Sequence, residues 1–278
     1  VIVPEKSFVE LLPRRVGGLP CHRLMATNNL EPVTPEPKKL IKTALILVAI
    51  MIIGGTLILK AYEKSVKEAS KDTRPSFLTQ IAKEKDLSYV RQDGEIRDLL
   101  SLEGKVVVVQ SLASEQPDPL ATAAMQKLSE YFKGNDDVAL VTLMLDPGEP
   151  TELKEELQAL AAGIGAELPQ WTVASNDQPT LHKFIKNEFK ANMLPYKKDG
   201  EWRYDPSLVL IDKNRHVRRA VIPQKRGGSP YVATFDFDQA AAWDEEGIKT
   251  GTTLSNIGQL EELLIQTIEI LVVEEIDL

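Results

Sequence analysis

The longest apolar run in the chain is Thr43 to Leu59 (TALILVAIMIIGGTLIL), 17 residues without a charge and without an amphipathic period. At about 1.5 Å per residue such a helix spans roughly 26 Å, a little short of a hydrocarbon core of about 30 Å. Leu40-Ile41 and Ala61-Tyr62 extend it, and Lys42 and Lys60 can lift their ammonium groups to the headgroups. A membrane span over residues 40–62 follows. Lys60-Ala61-Tyr62-Glu63 does not read as a cleavage site. Gly54-Gly55 leaves a smooth patch where a second helix can approach closely, although the full small-xxx-small pattern is absent.

Before the span, residues 1–39 are punctuated by proline and show no sustained period, so they read as an extended arm. Residues 63–75 continue the helix as a juxtamembrane linker that Pro75 stops. From 76 onward the pattern is that of a globular domain. Val106–Leu112 and Val138–Leu145 are near-continuous apolar runs suited to strands buried on both faces. Between them, Pro119 opens a helix with Leu120, Ala124, Leu128 and Phe132 on one stripe. Leu153, Leu157, Leu160, Ala161 and Ile164 predict a second helix that ends near Gly163 or Gly165. Gln170–Ala174 reads as a short strand, and Leu181, Phe184, Ile185 and Phe189 as a third helix. Leu208–Ile211 and Val217–Ile222 form a hairpin around Asp212-Lys213-Asn214-Arg215, and a final amphipathic helix carries Ile257 to Leu271, capped by Ser255. The order β-α-β-α-β-α-β-β-α predicts an α/β fold, a central sheet covered by helices.

Charge divides the chain unevenly. Residues 1–74 hold 12 basic and 7 acidic side chains (+5), residues 75–278 hold 21 and 34 (−13). An acidic body excludes nucleic acid as the partner, because phosphates require a basic face. It suits a basic protein partner or serves solubility. The positive-inside rule does not orient the span, with four Lys/Arg in residues 22–42 and five in 60–80. Cys21 is the only cysteine, so no intrachain disulfide and no cysteine metal cluster can form.

Several pieces in sequence order carry a family resemblance: Gly104-Lys105 before the first buried strand, Pro119 after the loop, Met125-Gln126-Lys127-Leu128, Asp146-Pro147, Trp171, and Leu210-Ile211-Asp212 before the hairpin. Over residues 76–222 and the last helix the chain resembles the Sco/SenC family, thioredoxin-like membrane-anchored copper chaperones for cytochrome oxidase. The resemblance implies a thioredoxin-like fold, an N-terminus in the cytoplasm or matrix, and a globular domain in the periplasm or intermembrane space. It also implies a copper site of two thiolates in Cys-x-x-x-Cys-Pro and a histidine before the Leu-Ile-Asp strand. Here the thiol positions fall on Ser114 and Asp118, and the histidine position falls near Tyr204–Pro206. Pro206 occupies the place of the cis-proline of thioredoxin relatives.

All three copper ligands are therefore replaced, and thiol exchange, which needs a thiolate, is excluded for this domain. His182 and His216 match no ligand position and read as surface residues. Ser114, Glu115, Asp118 and Asp146 are an alternative, hard oxygen set for Ca²⁺ or Mg²⁺. Lys213, Arg215, Arg218 and Arg219 read as a solvated hairpin face. Residues 223–254 form a long insertion in which Phe235, Phe237 and Trp243 alternate with carboxylates; they are candidate partner-contact residues, or else they pack back and cover the sheet edge. The reading that follows is a non-catalytic, cofactor-free accessory subunit or assembly factor of a respiratory membrane complex, of the cytochrome oxidase type. The alternative is a metal carrier with substitute ligands.

Overall fold

The computed structural model describes residues 36–69, 75–222, 231–248 and 252–274. Most of the N-terminal arm, Cys21 and the 223–230 stretch lie outside the described residues. Two compact units divide the chain, Val1–Ile58 and Leu59–Leu278.

Helix α1 (Pro37–Ala69) begins in the first unit, and its Pro37–Ala61 stretch is long and apolar enough to cross a membrane. Leu45, Ile46, Ile52 and Ile58 are exposed along it. The hydroxyls of Thr43 and Thr56 donate to the carbonyls of Lys39 (3.0 Å) and Ile53 (2.9 Å). No polar side-chain group of the run is thereby left to be solvated by hydrocarbon. A Cβ added at Gly54 or Gly55 would meet no atom, so the patch is open.

The second unit is a mixed sheet between helices. Its elements are β1 (Ser76–Gln80), β2 (Ser88–Arg91), β3 (Ile96–Asp98), β4 (Val106–Leu112), α2 (Pro119–Tyr131), β5 (Val138–Met144), α3 (Leu153–Ile164), β6 (Trp171–Ser175) and α4 (Gln178–Asn187). There follow β7 (Tyr196–Lys198), β8 (Glu201–Arg203), β9 (Val209–Ile211), β10 (His216–Ile222), β11 (Tyr231–Ala233), α5 (Phe237–Glu245) and α6 (Asn256–Val273). The sheet runs β1-β10-β9-β4-β5-β6-β2-β3, with β11 added to β10. β4, β5 and β6 are parallel, while β9 joins β4 antiparallel and β10 joins β9 antiparallel. β-α-β crossovers followed by an antiparallel hairpin and a closing helix form the covered α/β sheet expected of a thioredoxin-like core.

Every residue of β4 and β5 is buried, which is why their sequences do not alternate. The pleat splits them between two cores. Val106, Val108 and Leu140 pack under α2, α3, α5 and α6, and Val107, Val109 and Val141 pack with α4, Ile81, Leu87 and Leu99. Two polar residues share the first face without cost, since Gln110 Nε2 donates to Thr122 Oγ1 (3.0 Å), Thr142 Oγ1 donates to Gln110 Oε1 (3.2 Å) and Trp171 Nε1 donates to Thr142 Oγ1 (2.9 Å). Helix ends follow local chemistry. Ser255 caps α6 through Gly258 N (3.0 Å), and Gly165, at φ 77°, ends α3 in the left-handed region.

Four expectations are corrected. Phe235 and Phe237 are 1% exposed and belong to the first core, because β11 pairs with β10 and Phe235 bridges to Leu208. His182 is buried, with Nε2 2.8 Å from the Leu145 carbonyl. Among the described residues the cis peptide is Leu168–Pro169, not the bond before Pro206. The basic hairpin is not a solvated face. Arg215 and Arg218 are buried, held by Asp86 and by the oxygens of Asp212, Glu274 and Pro75.

Arg218 organises that corner. Nη1 lies 2.6 Å from Asp212 Oδ2, Nη2 lies 3.1 Å from Glu274 Oε2, and Nε donates to the Pro75 carbonyl at 3.2 Å. Asp212 in turn accepts from the backbone N–H groups of Asn214 and His216 and closes the hairpin turn. Removing one member of a buried pair leaves the other charge uncompensated. Arg218→Met is expected to cost about 3 kcal/mol of unfolding free energy, against less than about 1 kcal/mol for Lys83→Met, which breaks an exposed pair with Glu103. Equal shifts of the two denaturation midpoints would sink this account.

Candidate functional site

The in-register parallel pairing of β4 with β5 ends at Leu112 and Met144, so the loops leaving their carboxyl ends lie side by side. Open α/β sheets place ligands at this edge. Ser114 and Asp146 meet there. The Ser114 backbone N–H donates to Asp146 Oδ1 at 2.7 Å and its hydroxyl to Asp146 Oδ2 at 3.0 Å. The loop tightens through Gln116 N donating to the Ala113 carbonyl (3.1 Å) and ends at Asp118. Asp118 is the N-cap of α2: its Oδ1 accepts from Leu120 N (2.8 Å) and Ala121 N (3.2 Å), with Pro119 at the first helical position. The two residues at the expected thiol positions thus carry local structural hydrogen bonds.

The proposed oxygen set does not assemble. Asp146 holds Ser114, Asp118 holds the helix end, and Glu115 pairs with Lys197 at 2.7 Å. Among the described residues, no group of three or more His, Cys, Asp or Glu side chains is placed to hold a metal ion. His182 bonds the Leu145 carbonyl and not the Ser114 hydroxyl, whose partner is the Asp146 carboxylate. His216 pairs with Asp212 at 3.1 Å, in the hairpin corner.

A part of the site that the hydrophobic pattern did not indicate is the β7–β8 hairpin. Its turn is Asp199-Gly200, with φ of 53° and 87°, the pair of positive values a two-residue primed turn needs. The Asp-Gly dipeptide was the available signal. Lys197 reaches Glu115, the Trp202 N–H donates to Gln116 Oε1 (2.8 Å), and the Tyr204 hydroxyl donates to the Gln116 carbonyl (3.3 Å). The Trp202 ring meets His182 edge-on at 5.6 Å. The segment expected to hold the family histidine, Tyr204–Pro206, therefore does face the Ser114–Asp118 loop. Between them lies a cleft of about 410 Å³ lined by Asp118, Trp202, Tyr204, Pro206 and Asp238, among others.

The electrostatics of this cleft are acidic. Burial pushes the Asp118 carboxyl above the usual carboxylate range, and the nearby Asp236 pushes it the same way. Burial likewise raises Asp236, helped by Asp205 and Asp238, and raises Asp238, helped by Asp118. The Tyr204 hydroxyl is pushed up to about 12, first by burial and then by Asp118. Of the contact candidates outside the cleft, Trp243 is half-buried beside Leu260 and Leu263, while Gly54 and Gly55 lie on α1.

The strand order, with β4, β5 and β6 parallel and β9 and β10 antiparallel beside them, is that of a mixed α/β sheet. Solved structures similar to the chain include a SCO1/SenC family lipoprotein from Bacillus anthracis, at 22% identity and TM-score 0.48, covering 71% of this chain and 96% of that one. Another is BsSco, a member of the Sco family of cytochrome c oxidase assembly proteins in which a disulfide switch was identified, at 21% identity and TM-score 0.42 (63% and 96% covered). A third is the copper-bound ScoI of Arabidopsis thaliana, at 14% identity and TM-score 0.41 (66% and 96% covered). No protein-family model matches the chain, and no curated protein matches it.

A carboxyl raised in the fold stabilises the folded state most when protonated. That contribution is present below the ordinary value of 3.8 and is lost as pH rises through the folded-state value. Asp118→Asn keeps a capping oxygen and removes the charge. Thermal melts of this variant should exceed the wild type at pH 7, with the gain shrinking to nothing near pH 4. A gain that grows as pH falls would contradict the assignment.

Proposed function

We propose that the chain is a membrane-anchored, Sco-like protein without copper or redox chemistry, acting as an accessory subunit or assembly factor of a respiratory membrane complex of the cytochrome oxidase type. The observation that carries the reading is the state of the loop after β4. The positions that carry thiols in the family hold Ser114 and Asp118, and their oxygens bond Asp146 and the first turn of α2. Copper(I) needs soft sulfur or imidazole ligands, and residues 75–278 contain no cysteine. The facing segment offers Tyr204, Asp205 and Pro206, none of them a soft ligand. The role in cytochrome c oxidase assembly that BsSco has is extended here as a setting, without its disulfide chemistry. What the chain contributes in that setting is contact, through an apolar helix in the bilayer and through an acidic body. The body lies in the periplasm or intermembrane space and the N-terminus in the cytoplasm or matrix.

A mild-detergent pull-down of the tagged protein, run on a native gel with copper assayed in the same band, tests the reading. Co-migration with an oxidase-type complex and no copper assignable to this chain is the expected result. A free monomer that carries metal would favour the metal-carrier alternative. The orientation has its own test, since Cys21 is the sole thiol. In sealed bacterial spheroplasts or mitoplasts, a membrane-impermeant maleimide should leave the chain unlabelled until detergent is added. Labelling of intact vesicles would reverse the topology.

A further inference from the structure

The cleft between the β4–α2 loop and the β7–β8 hairpin is lined by two side chains with buried polar atoms that no described residue satisfies. Asp118 is 7% exposed and Trp202 9% exposed, both line the cleft, and neither Asp118 Oδ2 nor Trp202 Nε1 has a hydrogen-bond partner. One is an acceptor with negative charge and the other a donor, and a buried group left unpaired costs about 1–3 kcal/mol. Asp238 adds a second carboxyl to the wall, and Asp236 caps α5 close by. Of the cations nearby, Arg203 is engaged with Glu201 at 2.7 Å, and Lys197, 5.8 Å from the Trp202 ring centroid, is engaged with Glu115 at 2.7 Å.

The geometry points to a docking site for a basic side chain, arginine or lysine, presented on an extended segment of a protein partner. This inference rests on the reading of the chain as a contact subunit and names the chemistry of the contact. Both atoms are shielded in the free cleft, so docking turns the Asp118 and Trp202 side chains toward the opening; a cationic side chain then supplies the donor that Asp118 Oδ2 lacks, and the peptide carbonyl beside it an acceptor for the indole N–H. A bare metal ion would leave the indole unanswered, and an anion would leave the carboxylates unanswered. Met193, Pro206 and the rings of Trp202 and Tyr204 give the aliphatic stem of the incoming residue an apolar wall, with aromatic faces for its charge. A volume of about 410 Å³ falls in the range of small-ligand clefts, about 300–1,000 Å³, and accommodates one long side chain with its flanking backbone. The raised carboxyls of the cleft support the same conclusion, because an incoming cation relieves the repulsion that contributes to raising them. The balance of −13 over residues 75–278 draws a basic partner toward the body before contact.

The test uses the full ¹⁵N-labelled chain in lipid nanodiscs, read at the three tryptophan indole N–H resonances, with Trp202 assigned by Trp202→Phe. The probes are acetyl-Ala-Arg-Ala-amide, acetyl-Ala-Gln-Ala-amide, calcium chloride and copper(I). The arginine peptide should move the Trp202 resonance saturably, the glutamine peptide about tenfold more weakly, and the metals not at all. Asp118→Asn should weaken the arginine peptide by about tenfold while leaving the other indole resonances in place. Asp238→Asn should weaken it in the same direction, and serves if the first variant does not fold. A Trp202 resonance that ignores the arginine peptide, answers both peptides equally, or moves with either metal overturns the inference. Peptide binding without co-migration on the native gel removes the subunit reading alone, and co-migration without peptide binding removes the cleft alone.

Discussion

The parallel pairing of β4 with β5 is the constraint from which the rest of the second unit follows. Both strands are buried over all seven residues, so each needs cover on two faces. One face receives α2, α3, α5 and α6; the other receives α4 and the residues leading into and out of β2. The same register places Ser114 beside Asp146, because parallel neighbours deliver their carboxyl ends to one edge. Fold and site are thus consequences of a single alignment of two valine- and leucine-rich runs.

The two strands, though not their register, were legible in the sequence for a physical reason. A strand buried on both faces has no polar alternation to confuse its reading, and Val106–Leu112 and Val138–Leu145 have none. Helix ends were legible where one residue type decides them, as at Pro119 and Ser255. The insertion was less so. Phe235 and Phe237 sit among carboxylates, and sequence alone weighs a surface contact against packing inward. The deciding factor was the β11–β10 pairing, a contact that the unpatterned 223–254 stretch did not announce. Arg218 failed for the opposite reason. Charge predicts exposure, and only the convergence of Asp212, Glu274 and the Pro75 carbonyl makes burial tolerable. The cleft depended on the β7–β8 hairpin, whose short, exposed strands carry almost no periodicity and whose Asp199-Gly200 turn was its one local mark.

The loop after β4 takes its shape from oxygen atoms at the positions where the family resemblance leads one to expect thiols. Ser114 and Asp118 are not blanks. Each takes a hydrogen-bonding task that sulfur performs poorly, the first joining two loops and the second starting a helix. The loop conformation is therefore set by oxygen acceptors, and the segment that would complete a metal site is held by the Gln116 carbonyl and side chain. Beside this loop lies a cleft with shape, charge and two buried hydrogen-bonding groups that no described residue satisfies.

Arg218 has a consequence beyond the charge it neutralises. Its guanidinium holds the carbonyl of Pro75, just before β1, and the carboxylate of Glu274, at the end of α6. One side chain therefore ties the entry to the first strand to the end of the last helix, and loss of either contact weakens the anchorage of the other.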